Sequence, residues 1–142
     1  MTLDELKVQV ANDLKVNDER LDTESLKNQE LYAKYLEIKS NFELLMYKAK
    51  GDYKILYRDK WEYYGGKADP EVYKEKPLDL KILKQDVPIY LEGDEELIES
   101  QHTVEYHKAM CDHAEKMCKM LNNRGFQIKN AIDWKRFMEG SI

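Results

Sequence analysis

The feature that most constrains the fold is a long series of apolar residues spaced three or four positions apart. It occupies a stretch rich in helix formers and contains Leu31, Tyr35, Ile38, Phe42, Leu45, Ala49 and Leu56, with Asp52 the one interruption between the last two. Residues at this spacing fall on one face of an α-helix, so the pattern predicts one long helix over about 22–64. Asp22 is a good N-cap type at its start, and Gly65-Gly66 is a stop signal at its end. Gly51 costs about 1 kcal/mol inside a helix, but we predict that the helix continues through it.

The length of this predicted helix indicates whether the chain can remain a monomer. At 1.5 Å per residue it extends roughly 60 Å, whereas a compact domain of 142 residues is about 35–40 Å across. One monomer therefore lacks the surface to bury the whole apolar face. The sequence predicts self-association.

Shorter elements are predicted on both sides of the long helix. Thr2 and Glu5 form a capping box before a short N-terminal helix. Residues 67–92 contain all three prolines of the chain and predict an irregular connector. Two C-terminal helices follow, one from the N-cap Asp94 to about residue 122 and one over about 126–139, with Gly125 between them. The predicted fold class is all-α.

Composition and motifs exclude several classes of protein. Charged residues make up 36% of the chain and Gly and Pro are few, which indicates helices with one buried face rather than disorder. No apolar run approaches the roughly 18 residues that span a bilayer, and no membrane partner is predicted. The sequence contains no phosphate loop, nucleophile elbow or dinucleotide fingerprint, so it predicts neither an enzyme nor a cofactor.

The cysteines and histidines form the one cluster of metal-ligand residue types. His107 and Cys111 are one helical turn apart, a spacing that can hold zinc. The same helical face also carries Val104, Ala114, Cys118 and Leu121, and no CxxC pair occurs. The pattern favours a buried helix face without a metal, and a metal-dependent enzyme is the alternative.

Residues 47–67 gather six basic and six aromatic residues in a chain of net charge −5. On a helix, an arc of roughly 160° holds most of them, namely Lys50, Lys54, Arg58, Lys60, Tyr47, Tyr53, Tyr57, Trp61 and Tyr64. Single-stranded nucleic acid uses both groups, because cations bind phosphates and rings stack on bases. The alternative is a coiled-coil partner surface whose tyrosines belong to the apolar seam. The following stretch, 85–105, has seven acidic residues and no basic one; it either faces a basic partner or keeps DNA off that side.

Three segments resemble the UvsY recombination mediator proteins of tailed phages. They are Leu31-Tyr32-x-Lys34-Tyr35-Leu36, the segment from Tyr57 to Asp69, and Arg124-Gly125-Phe126-Gln127-Ile128-Lys129 with the helix that follows. The family pattern in the middle segment reads Leu-Lys-Ala-Arg, any residue, an acid and Tyr. Here Arg58 and Lys60 fill both basic positions with their types exchanged, and Asp59 replaces a small residue.

The resemblance implies a function and a set of partners. Members of the family are helical proteins that form closed rings through their C-terminal region, bind single-stranded DNA, and load a RecA-like recombinase onto strands coated by a single-strand binding protein. For this chain it implies a hexamer or heptamer ring without a catalytic site, acting in the cytoplasm of the infected host cell. A helical adaptor without DNA-binding activity is the alternative from a different class.

We therefore predict three regions and two sets of site residues. The regions are an N-terminal DNA-binding region (1–66), a connector (67–92) and a C-terminal oligomerisation region (93–142). The predicted DNA-binding residues are Arg58, Lys60, Lys54, Lys50, Trp61 and Tyr57. The candidates for the assembly surface are Met110, Met117, Met120, Phe126, Trp134 and Phe137, and the alternative for these is an ordinary intramolecular core.

Overall fold

The computed structural model describes residues 1–140, which form helices and connecting turns without a strand. The α-helices are α1 (Leu3–Asp13), α2 (Leu21–Tyr64), α3 (Pro70–Glu75), α4 (Val87–Glu92) and α5 (Glu95–Met138), and a short 3₁₀ turn, Lys84–Asp86, precedes α4. The all-α prediction is confirmed. The predicted connector is irregular between its two short helices. None of the helices described here is both long and apolar enough to cross a membrane.

The chain divides into two compact units, each with its own core. The first contains Met1–Glu43 and the chain from Lys108 onward. Here the predicted capping box is present, with the Glu5 N–H donating to Thr2 Oγ1 and the Thr2 N–H to Glu5 Oε2. Its core combines apolar residues from α1, the first half of α2 and the second half of α5, namely Leu6, Val10, Leu31, Tyr35, Met110, Met117, Cys118 and Leu121.

The second unit contains Leu44–His107. Its core is formed by Val87, Leu91 and Leu97, against which half-buried residues of α2 and the connector pack. Those residues are Tyr53, Leu56, Tyr64 and Ile82. This unit contains all of the basic and aromatic residues predicted to bind DNA.

Helix α2 is one continuous helix that passes through Gly51, as predicted. The predicted N-cap Asp22 is wrong, because the helix begins at Leu21 and its first turn already closes from the Glu24 N–H to Arg20 O, so Asp22 lies inside that turn. The end of α2 follows from local geometry, because Gly66 has a φ of 73°. The Lys67 N–H donates to Glu62 O at 2.8 Å and the Gly66 N–H to Tyr63 O at 3.2 Å. This pair of bonds is a Schellman motif, in which a left-handed glycine closes the last turn. The Gly65-Gly66 stop signal is confirmed.

Helix α5 differs from the predicted pair of C-terminal helices, because it continues through Gly125. Leu121, Arg124 and Ile128 are all buried and follow at steps of three and four residues, so one buried stripe spans the glycine. The packing of that stripe outweighs the local cost of a glycine, which is about 1 kcal/mol. A Cβ at position 125 would lie 3.5 Å from Asn28 Nδ2, an ordinary van der Waals contact with α2.

Candidate nucleic-acid interface

Three of the predicted DNA-binding cations form a row on α2. Lys50, Lys54 and Arg58 are four residues apart and exposed. A spacing of four places them one above the next along one helix face, about 6 Å apart along the axis. Like charges at this spacing cost an isolated helix a few tenths of a kcal/mol per pair, so the row does not serve helix stability. We call these three residues the cation row.

A second row, of aromatic rings, runs beside the first. The ring centroids of Tyr53 and Tyr57 are 6.1 Å apart, and those of Tyr57 and Trp61 are 6.4 Å apart with an interplanar angle of 30°. Tyr57 and Trp61 are exposed, while Tyr53 is half-buried against the core of the second unit. We call Tyr53, Tyr57 and Trp61 the ring row. Each of its members is three residues after a member of the cation row, which places the two rows on neighbouring tracks of the helix.

Asp59 pairs with Arg58, and the pair is exposed. Arg58 Nη2 is 3.3 Å from Asp59 Oδ1, and the two side chains are 67% and 55% exposed. Exposed ion pairs contribute little because water and salt screen them. A phosphate group can therefore replace the Asp59 carboxylate as the partner of Arg58 at small cost.

Lys60 has different surroundings from the cation row, although it was predicted to bind DNA with it. Its Nζ lies 3.2 Å from Asp94 Oδ2 and 3.4 Å from Glu96 Oε2, and its side chain is only 13% exposed. Glu96 also receives a 2.7 Å bond from Lys76. The Lys60 ammonium is thus neutralised within the protein, because the helix turns its side chain toward the start of α5.

Asp94 is the centre of this cluster. Its Oδ1 accepts from the Leu97 N–H at 3.0 Å, which confirms it as the N-cap side chain of α5. Its Oδ2 accepts from the Tyr64 hydroxyl at 2.6 Å. Burial raises the pKa of Asp94, but the bonds from Tyr64, the Leu97 N–H and Lys60 outweigh burial and hold the pKa below its ordinary value. Burial and the Asp94 carboxylate both raise the pKa of Tyr64.

Asp94 was predicted as a helix cap, but no sequence pattern predicted its pairing with Lys60. The two residues are 34 positions apart, and charge pairing between distant helices leaves no periodic pattern. The same is true of the stacked pair Tyr63–Tyr73, whose centroids are 5.4 Å apart.

The six candidates for the assembly surface separate into two groups. Met110 and Met117 are fully buried in the core of the first unit, so the structure places them in the intramolecular core that was their alternative. Met120, Phe126, Trp134 and Phe137 are exposed. Trp134 and Phe137 stack with centroids 5.8 Å apart, and both are more than 60% exposed.

The cysteines and histidines are not arranged as metal ligands. Within residues 1–140, no three His, Cys, Asp or Glu side chains come together in a way that could hold a metal ion. Cys111 and Cys118 are buried thiols on the face of α5 that packs inward, and burial raises the pKa of both. Their surroundings agree with the interpretation of a buried helix face.

Comparisons with known proteins support the family resemblance that the three sequence segments indicate. A sequence model of the family described as "Recombination, repair and ssDNA binding protein UvsY" matches residues 9–141. The recombination protein uvsY of Enterobacteria phage T4 is 23% identical over 140 residues, covering 99% of both chains.

Solved structures of the recombination mediator protein UvsY of bacteriophage T4 have the same fold. One crystal form superposes with a TM-score of 0.85 at 22% identity, covering 98% of both chains. A second gives a TM-score of 0.83 at 20% identity, covering 97% of this chain and 99% of that one. Since the family model extends over nearly the whole sequence, this chain belongs to the UvsY family of recombination, repair and single-stranded-DNA-binding proteins.

Proposed function

We propose that this protein is a recombination mediator that binds single-stranded DNA along α2. The observation that carries the proposal is the pair of parallel rows on that helix, one of exposed cations and one of rings. Both rows repeat about every 6 Å, which exceeds the roughly 3.4 Å that a nucleotide occupies in a duplex strand. The surface therefore fits a strand extended beyond its duplex length, with phosphates on the cation row and bases against the ring row.

The contact residues in this proposal are Lys50, Lys54, Arg58, Tyr57 and Trp61. Lys60 supports the site from inside, because its pairing with Asp94 and Glu96 fixes the end of α2 to the start of α5. Base stacking on aromatic side chains contributes about 1–3 kcal/mol per base. One protomer thus offers a short and weak site.

A homo-oligomeric ring, a hexamer or heptamer, would join many such sites on one strand. Linked weak sites bind far more tightly than any one of them alone. The proposed role of the ring is to hold a strand extended while a RecA-like recombinase replaces single-strand binding protein on it. No covalent bond is made or broken in this role, so we assign the protein no catalytic residue and no cofactor. We expect it to act in the cytoplasm of the infected host cell.

The first prediction tests the cation row. Replacing Lys50, Lys54 and Arg58 together with Ala should lower affinity for a short fluorescent single strand. It should also reduce the slope of log affinity against log salt by about 2 per bound protomer, since each lost phosphate contact removes about 0.7. Fluorescence anisotropy over a salt series measures both quantities.

The matched control replaces three exposed lysines of α5, Lys116, Lys119 and Lys129, with Ala. It makes the same change in net charge, so general electrostatic attraction falls equally in both variants. If both variants lose affinity to the same extent, the proposed site is wrong. If the unaltered protein assembles but shows no salt-sensitive affinity for single strands, the adaptor alternative replaces the proposed function.

A further inference from the structure

A groove lies at the C-terminal end of α2, next to the proposed DNA-binding rows. Its volume is about 610 Å³ and it lies entirely within the second unit. Its lining combines Tyr64, Gly65 and Gly66 at the end of α2, Tyr73 of α3, and the irregular segment 77–82. This volume lies in the range of about 300–1,000 Å³ that is common for small-molecule pockets.

The ring row leads to this groove. Tyr53, Tyr57 and Trp61 are spaced by four residues, and the next position at that spacing is Gly65. The Gly65 N–H donates to Trp61 O at 3.0 Å, so the helical turn continues to this position. Where a fourth ring would stand, the chain has no side chain, and the groove opens there.

The rings at the groove are held rigidly. The Tyr73 hydroxyl donates to Tyr63 O at 2.8 Å and accepts from the Ala68 N–H at 3.2 Å. The Tyr64 hydroxyl donates to Asp94 at 2.6 Å. Ring orientation is therefore set before any ligand arrives, which lowers the entropic cost of stacking on these rings.

The connector part of the lining has apolar and charged residues in alternation along the sequence. Leu78, Leu80 and Ile82 supply the apolar part, and Asp79 and Lys81 are the charged residues of the lining. Among the described residues, none makes a backbone–backbone hydrogen bond with the segment 78–82. Its peptide groups therefore remain available to the polar edge of a ligand.

We propose that this groove is a base pocket, which accepts one unstacked nucleobase of the single strand that lies along α2. The inference rests on the proposed function and extends its site by one nucleotide beyond Trp61. A nucleobase has the required chemistry, because its faces are flat and apolar, its edge carries hydrogen-bonding groups, and its phosphate is anionic. The cation row and Lys81 provide charge complementary to that phosphate, and the four-residue spacing of the ring row continues to Gly65 in the pocket lining.

A photocrosslinking experiment tests the base pocket. Short single strands carrying one 5-iodouracil, moved one position at a time, are bound to the full-length protein, irradiated and mapped by mass spectrometry. We expect crosslinks to Tyr73 or Tyr64 for one position of the iodouracil and to Tyr57 or Trp61 for neighbouring positions. Strand binding without any crosslink to residues 64–82 would overturn the base pocket and leave the proposed function standing.

A matched pair of variants gives the second test. Leu80→Glu places a carboxylate in the groove, whereas Leu83→Glu places one on the same connector outside it. Leu80 and Leu83 are 59% and 56% exposed, so both variants should melt at the same temperature as the unaltered protein. We expect Leu80→Glu to lower the groove crosslink and the affinity for a short strand by about tenfold, the effect of losing one stacked base, and Leu83→Glu to change neither. Equal affinities in the two variants would contradict the base pocket, whereas absence of strand binding by the unaltered protein would contradict the proposed function itself.

Discussion

Arg58 and Lys60 are two positions apart, yet their side chains have different surroundings and different roles. Arg58 extends into solvent with only an exposed carboxylate beside it, while Lys60 is nearly buried between Asp94 and Glu96. The exposed cation is available to phosphate, and the buried one contributes to the stability of the second unit. A basic residue in a motif therefore identifies a site only when its own partners inside the protein are known.

Asp94→Asn tests the buried cluster through its dependence on pH. The pKa of Asp94 is lowered in the folded protein, so its charge stabilises the fold above the unfolded pKa of about 4, and that contribution is lost as pH falls through the folded value. At neutral pH the free energy of unfolding of the variant should fall by about 1.5–3 kcal/mol, the contribution of hydrogen bonds to a charged group, while Asn still caps α5. Urea unfolding over a pH series measures the difference.

The difference from the unaltered protein should begin to shrink below about pH 4, the unfolded pKa, and should disappear only when pH falls below the lowered pKa of Asp94 in the folded protein. Glu99→Gln, at an exposed position of the same helix, serves as the control and should change stability little. A loss of stability that stays constant from neutral to acidic pH would show that the Asp94 charge is not its source.

Arg124 has the most buried charge in the first unit, being 1% exposed. It donates to the Glu24 carboxylate, to Asn28 Oδ1 at 3.0 Å and to the Lys15 carbonyl at 3.1 Å. Arg124→Met should cost about 3–5 kcal/mol, because it leaves the Glu24 carboxylate without its partner. Arg136→Met, at an exposed position of α5, should cost little.

The free energy of unfolding is measured by denaturant titration for both variants and for Arg124→Met combined with Glu24→Gln. The double variant should recover part of the loss, since the second change removes the unpaired charge. Equal stability of Arg124→Met and Arg136→Met would rule out a structural role for the Arg124 cluster.

At the scale of elements, the end of α2 and the start of α5 were predictable from the sequence, whereas the continuation of α5 through Gly125 was not. The C-terminal end of α2 carries a local signal that held, the glycine pair that forms the Schellman motif, whereas Asp22 lies in the first turn and does not cap the helix. Gly125 looked equally like a stop, but Arg124 and Ile128 are buried on either side of it, so packing with distant residues keeps the helix intact. Local chemistry predicts an element only where tertiary contacts do not oppose it. The exposed rows of α2 follow from helical spacing and were therefore predictable, whereas the pairing of Lys60 with Asp94 depends on contact between two helices and was not.

Gly51→Ala tests the continuity of α2. Gly51 lies in the helix, and a Cβ there would meet no heavy atom within 4 Å. Ala should therefore stabilise the protein by about 0.5–1 kcal/mol through higher helix propensity and a less flexible unfolded chain. Thermal unfolding measures this change. Gly65→Ala is the contrast and should not stabilise the protein, because a Cβ at 65 would lie only 3.0 Å from Trp61 O. Destabilisation by Gly51→Ala would mean that the helix is distorted at this position.

At the scale of the whole molecule, the proposed ring depends on apolar residues that the chain leaves uncovered. Phe126, Trp134 and Phe137 are 62–67% exposed near the C-terminal end of α5. Large exposed apolar groups are characteristic of interaction surfaces. The sequence identified these residues but could not separate them from Met110 and Met117, because methionines and aromatic residues fit a core and an interface equally well.

Replacing Trp134 and Phe137 together with Ala should shift the native mass toward the monomer while the fold of the subunit is kept. Each side chain loses little burial within the subunit, so circular dichroism should remain unchanged. Native mass spectrometry checks the assembly, with the exposed Leu44→Ala as control. Met117→Ala, in the core of the subunit, should instead lower the free energy of unfolding of the subunit by about 2–5 kcal/mol. An oligomer of unaltered mass in the double variant would place the assembly surface elsewhere.

The burial of Cys111 and Cys118 has a practical consequence for experiments on this protein. A buried thiol with a raised pKa reacts slowly with alkylating reagents, because the thiolate is the reactive form. A single cysteine introduced on the surface, for example Leu83→Cys, can therefore be labelled with a fluorophore while both native thiols are kept. A fluorophore at such a site allows the extension of a bound strand along each subunit to be measured.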